Sequence, residues 1–175
     1  YCNGNGDNRH MSFKSNLINI VLVETSHPGN IDFIVDGLGI RDQFEVEVFA
    51  WGHMPLAYSA RCFTARSENK AKDDCELCCI NYPQGRVMRT QEDQSLFVLN
   101  GIQTQSGLRY NLLNEVPQLA ALADIVRVSP ENLGSIDVAT QFKQQRQHYQ
   151  TYTLTNQECN GYWHQIAGLA KQGVH

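Results

Sequence analysis

Four of the six cysteines, Cys62, Cys75, Cys78 and Cys79, fall between positions 62 and 79, while Cys2 and Cys159 stand far to either side. This crowding constrains the fold more than any other feature. A disulfide-stapled secreted domain spreads its cysteines through the loops of a small chain and often carries an N-x-[ST] sequon. No sequon occurs here. The expectation is therefore a cytoplasmic protein with reduced thiols, in which such a group binds metal or performs redox chemistry, ahead of inert buried thiols or disulfides.

The spacing is C-x12-C-x2-C-C. Zinc modules more often present two separated C-x2-C pairs, or two cysteines followed by two histidines, and His53, the nearest histidine, precedes Cys62. If Asp73 to Ile80 is helical, Cys75 pairs on one face with Cys79 or with Cys78, and adjacent Cys78 and Cys79 diverge, so one of them is a ligand. Spacing leaves open which. The intervening FTARSENKAKDD, charged in both senses, reads as a solvated loop that sets the cysteines at the edge of a core. Arg61 and Arg66 beside the thiols would favour their charged form.

Composition supplies the exclusions. With 42% hydrophobic residues, 18% charged residues and a net charge of −4, the chain has a globular profile and no electrostatic footprint for nucleic acid or an anionic membrane. The longest apolar run, Leu17 to Val23, is broken by Asn19 and closed by Glu24, far short of the roughly 20 residues of a membrane span.

Phe44 to Trp51, Ser95 to Asn100 and Asp124 to Ser129 read as strands. Helices are expected from about Glu115, with Pro117 tolerable in the first turn, and over Ser135 to Tyr149. Strand, helix, strand and helix in succession imply an α/β fold with a parallel sheet. In the first strand Glu45 and Glu47 alternate with Phe44, Val46 and Val48, as in an edge strand facing water or, if both faces are covered, a satisfied site. The polar, glycine-rich stretch YCNGNGDNRH suggests no element.

The segment VFAWGHMPLAYSARCFTARSENKAKDDCELCC (Val48 to Cys79) resembles the signature region of the collagenase-like peptidase family, TIM-barrel proteins many of which carry an iron-sulfur cluster. FVLNGIQTQSG (Phe97 to Gly107), DIVRVSP (Asp124 to Pro130) and ECNGYWHQIAGL (Glu158 to Leu169) support the likeness, which covers Leu38 to about Leu169. Many members carry a cysteine within a His-Gly-x-x-Cys pattern where this chain has Pro55. Its loss, with a cysteine at position 75, is the pattern of the ubiquinone-biosynthesis branch. The resemblance implies Cys62, Cys75 and Cys79 as ligands of a [4Fe-4S] cluster, Cys78 as a spare thiol, and a fourth ligand from an N-terminal cysteine on an earlier barrel strand. That context has no match here, nor does the stretch before about Gly37 follow the family.

A TIM barrel takes about 250 residues, so the expected fold is the C-terminal part of a TIM-type (β/α)8 barrel, incomplete at its front. Residues 1–36 would form a poorly matching N-terminal segment, and 37–175 a partial α/β barrel carrying the cysteines. The implied function is an iron-sulfur subunit of the oxygen-independent hydroxylation system in ubiquinone biosynthesis. It would form a heterodimer with a UbiU-like partner subunit and take a quinone precursor from a lipid-binding carrier protein. Tyr58 and Arg61 could orient a substrate or tune the cluster, or could simply pack and pair at the surface. His53 could move protons or be structural; Trp51 reads as core. The alternatives are a non-catalytic interaction module with structural zinc, and a peptidase, although no nucleophile and base pair or H-E-x-x-H site occurs.

Overall fold

The computed structural model describes residues 9–14, 18–23, 44–71, 74–131 and 134–173. The chain divides into two compact units, one of Tyr1–Gly52 with Asn111–His175, the other of His53–Tyr110.

In the first unit β1 (Arg9–Lys14) and β2 (Ile18–Val23) pair antiparallel, Arg9 opposite Val23 and Lys14 opposite Ile18. Ile18–Val23, within the apolar run closed by Glu24, is thus a strand. β2 runs parallel to the start of β3 (Phe44–Tyr58), with Asn19 opposite Phe44 and Val23 opposite Val48. β7 (Ile125–Val128) lies parallel to β3 with a register shift between Phe49 and Trp51. Just before β7, Asp124 closes a ring with Val46: its carboxylate accepts from the Val46 amide at 2.8 Å, and its own amide donates to the Val46 carbonyl at 3.0 Å. Gly52 has φ +124°, and a Cβ there would fall 2.6 Å from the Cβ of Ser129, so the backbone needs glycine at this crossing.

Phe44–Trp51 lies in β3 as expected, and its Val46, Val48, Phe49 and Trp51 are buried in this unit. Glu45 is exposed and Glu47 is half-buried, its carboxylate 3.2 Å from Arg127 Nε. The alternating glutamates therefore face water and an ion pair. A 3-10 turn over Leu113–Glu115 leads into α2 (Val116–Leu122), whose first turn holds Pro117, where its missing N–H costs nothing. α3 (Ser135–Gln147) packs on α2 and β7. Ser135 and Phe142 are its buried residues, with Val138 and Gln145 half-buried, a stripe at helical spacing.

After α3 the chain is mostly irregular, and polar side chains stand in for a ladder. Asn114 donates to the Tyr152 carbonyl and accepts from its amide, both at 2.8 Å. Asn160 grips Gln172 the same way, at 3.0 and 2.8 Å. The buried Glu158 carboxylate accepts from Asn111 at 2.6 Å and from the Thr155 amide at 2.8 Å, and the buried Glu115 carboxylate lies 3.0 Å from His164 Nε2. Buried carboxylates are tolerable only with such partners. Trp163, 1% exposed, donates its indole N–H to Gln118 at 2.8 Å.

In the second unit the rest of β3 is followed by a helix described below and then by β4 (Arg86–Arg89), β5 (Ser95–Asn100) and β6 (Gln103–Asn111), in the sheet order β3-β6-β5-β4. β4 with β5 and β5 with β6 are antiparallel. The β5–β6 turn is Gly101-Ile102, with Gly101 at φ +60°; the β4–β5 turn spans Thr90 to Gln94, closed by the Thr90 amide on the Gln94 carbonyl at 2.9 Å.

These hairpins overturn the expectation of a TIM-type (β/α)8 barrel. A barrel needs parallel neighbours joined by crossovers of about a dozen residues or more, and turns this short dictate antiparallel pairing. Among the described residues the sheet closes in neither unit. β4 and β6 lie outside the expected strands, because RVMR and QTQSGLRYN lack a clear apolar alternation. Among the described residues parallel pairing is confined to the first unit. No helix among the described residues is long and apolar enough to cross a membrane.

Candidate cysteine site

The site lies in the second unit and starts where β3 ends. The Ser59 amide donates to the Ile102 carbonyl at 2.8 Å and the Phe63 amide to the Gly101 carbonyl at 2.7 Å, fastening this loop to the β5–β6 turn. Cys62, extended at φ −72° and ψ 116°, then caps α1 (Phe63–Ser67): its Sγ accepts from the Ala65 amide at 3.4 Å. A thiol is a weak acceptor, but the position is a true N-cap.

The segment expected to be a solvated loop is therefore partly a docked helix. Thr64 and Ala65 are buried at 1% and 2% exposure, and Thr64 Oγ1 accepts from the Gly101 amide at 3.3 Å. α1 closes with paired bonds from Lys70 to Ala65 at 2.9 Å and from Asn69 to Arg66 at 3.1 Å, with Asn69 left-handed at φ 53°. This is a Schellman ending, in which asparagine stands where glycine is commonest.

Cys75, Cys78 and Cys79 do not share an α-helical face. Glu76 and Leu77 are left-handed, at φ 48° and 51°, which no α-helix accommodates. The Cys78 amide donates to the Cys75 carbonyl at 3.0 Å, and a 3-10 turn runs over Cys78–Asn81. This turn packs on α1. Glu68 reinforces the junction by accepting from Tyr82 Oη at 2.7 Å and from Arg86, whose guanidinium also lies 4.5 Å over the Tyr82 ring. Hydrogen bonds from Tyr82 and then Arg86 hold the Glu68 carboxyl below the usual carboxylate range.

The result gathers thiols that the sequence separates. Cys62, Cys75 and Cys79 are half-buried and Cys78 is buried, all as free thiols. Burial, then the neighbouring Cys75, pushes the Cys78 thiol upward; Lys70 opposes the shift, while Cys62 and Cys79 add to it. Cys78 thus lies within electrostatic reach of the other three thiols. For Cys78 burial outweighs the stabilisation of the thiolate by Lys70, and neither Arg61 nor Arg66, the cations expected beside the thiols, figures among the causes. Cys78, the spare thiol by resemblance, is the most enclosed of the four. Among the described residues no three His, Cys, Asp or Glu side chains converge at the spacing of a single metal ion.

No family model matches this sequence, and no solved structure matches the chain.

Of the other residues singled out by sequence, His53 Nδ1 donates to the Ser106 carbonyl at 2.7 Å, a structural tie within the β3–β6 pair. Tyr58 is 67% exposed and accepts from Gln103 Nε2 at 2.9 Å. Arg61 is exposed. Trp51 is buried, and belongs to the first unit, as does Cys159, 1% exposed, whose thiol burial pushes up to about 11. Cys2 lies outside the described residues. Sequence reasoning missed Lys70 as a neighbour of the thiols; its spacing from Ala65 carried the signal only once Asn69 was recognised as a helix-ending residue.

Proposed function

We propose that this chain is an iron-sulfur subunit of the oxygen-independent hydroxylation system of ubiquinone biosynthesis, with Cys62, Cys75 and Cys79 as cluster ligands. The observation that supports this reading is the gathering of four thiols, from the N-cap of α1 and from the turns after it, beside the positive charge of Lys70. The donor set fits: thiolates are the ligands that iron-sulfur clusters select, and a cluster spans more space than one ion. A [4Fe-4S] cluster bound there would supply one-electron chemistry. The chain's own share is to hold the sulfurs, to shelter Cys78 and to fix the two cysteine-bearing segments together through Glu68, Tyr82 and Arg86.

The likeness to the ubiquinone-biosynthesis protein UbiV, carried by AYSARC and CELCC, supports the same reading and adds a UbiU-like partner subunit and a carrier that delivers the quinone precursor. The barrel that usually accompanies this likeness forms no part of the proposal.

Anaerobic purification and reconstitution with iron and sulfide, followed by metal and acid-labile sulfide analysis and EPR of the reduced protein, tests the cluster. The expected outcome is iron and sulfide in equal amounts with a thiolate-to-iron absorption band that bleaches in air. Tight zinc binding with no sulfide would refute it and leave the structural-zinc module in its place.

A further inference from the structure

A cavity of about 480 Å³ opens beside Cys62, lined by Arg61, Ala65, Arg66, Asn69 and Lys70 among others, with no acidic residue among the described residues of its wall. The absence of acids is a result of the local folding. Glu68 follows Arg66 closely in sequence, yet it is engaged by Tyr82 and Arg86, and Glu76 is engaged by Lys70. Arg86 and Arg89 of the same unit have carboxylate partners in Glu68 and Asp93. Among the described residues Arg61 and Arg66 have none. The Schellman ending at Asn69 turns the chain back so that Lys70 returns over Ala65 and completes the wall.

We propose that this cavity is a binding site for a small dianionic oxyanion, a carboxylate or phosphate compound, held by the forked donors of Arg61 and Arg66. Guanidinium groups match both oxyanions through paired N–H donors, whereas Lys70 contributes a point charge that can leave Glu76 for the ligand. The cavity accommodates more than a bare ion, so the oxyanion is the anchoring end of a small molecule whose remainder lies along Ala65 and the Cys62 thiol. The inference goes beyond the cluster reading and stands on the cations alone.

Isothermal titration of the full 175-residue chain with inorganic phosphate and, separately, with malonate tests it, at constant ionic strength held by sodium chloride. Saturable one-site binding of either probe is expected, and the stronger of the two identifies the oxyanion. Arg61→Ala and Arg66→Ala should each weaken it about tenfold, the scale of a lost charge-assisted hydrogen bond. Arg66→Lys, which keeps the charge and loses the fork, should fall between. Arg89→Ala, outside the cavity wall, should bind as the parent does, and circular dichroism verifies that each variant keeps its fold. Cys75→Ser, also outside the wall, should retain anion binding whatever its iron content, which separates this site from the cluster. Absence of saturable binding by both probes, or binding undiminished in Arg61→Ala and Arg66→Ala, overturns the proposal.

Discussion

Cys62 holds two positions at once, and two substitutions separate them. As N-cap of α1 its sulfur satisfies the Ala65 amide at 3.4 Å; as a proposed ligand it supplies a thiolate. Cys62→Ala removes both functions. Loss of an N-cap side chain costs about 0.5 to 2 kcal/mol, and this one sits at the low end. Sulfur is a weak acceptor, α1 is five residues long, and Thr64 already ties the helix to Gly101. About 0.5 kcal/mol is the expected loss for the iron-free protein. Cys62→Ser keeps a cap, and a better one, so its iron-free form should equal or exceed the parent by a few tenths of a kcal/mol. Both variants should lose iron and sulfide alike, since a hydroxyl is a poor substitute for thiolate. Urea denaturation of the iron-free forms, with iron and sulfide counted after anaerobic reconstitution, reads the two effects independently. Iron and sulfide at the parental level in Cys62→Ser would refute the ligand assignment. A loss above about 2 kcal/mol in iron-free Cys62→Ala would show that the thiol packs rather than caps.

Further outcomes test the first unit. Asn114→Ala removes two hydrogen bonds to Tyr152 from a buried position and should cost about 2 to 3 kcal/mol in urea denaturation; a loss below about 0.5 kcal/mol would show that Tyr152 finds other partners. Gly161→Ala would set its Cβ 2.0 Å from the Ala167 carbonyl oxygen, a backbone clash that should prevent soluble accumulation or lower the melting temperature sharply; a parental melting curve refutes it. Cys159 gives a pH dependence. Its thiol rises from 9.0 to about 11 on folding, so the stability it contributes is complete below the unfolded value and is lost as pH climbs through the folded one. Between those limits the parent should lose about 2 to 3 kcal/mol that Cys159→Ala does not lose, and parallel alkaline curves for the two proteins would contradict this.

Ser95–Asn100 was legible as a strand to the residue, and α2, α3 and β7 were legible to within a few residues, because local propensity and the flanking turn or cap residues mark each. The cysteine cluster was legible as a group, since its crowding is a property of the chain. Its geometry was not. Asp73 to Ile80 has the spacing of a helix, but left-handed Glu76 and Leu77 break it, a conformation that neither residue favours and that packing on α1 and the Glu68–Tyr82–Arg86 contacts must maintain. α1 itself hid inside a charged stretch, because Thr64 and Ala65 are small residues and only docking on the hairpin reveals that they are buried.

Composition, thiol content and the periodicity of its longer elements were settled by sequence alone: a globular α and β chain, with one concentrated set of soft ligands and no apolar stretch long enough to span a bilayer. Tertiary structure decided the rest. Antiparallel hairpins replaced the expected barrel strands because turn length, not strand composition, determines the direction of the next strand. The lack of carboxylate partners for Arg61 and Arg66 among the described residues, and the burial of Cys78, likewise arise from contacts between segments. Charge pairing and burial are properties of distances in space, and a sequence specifies those only through its fold.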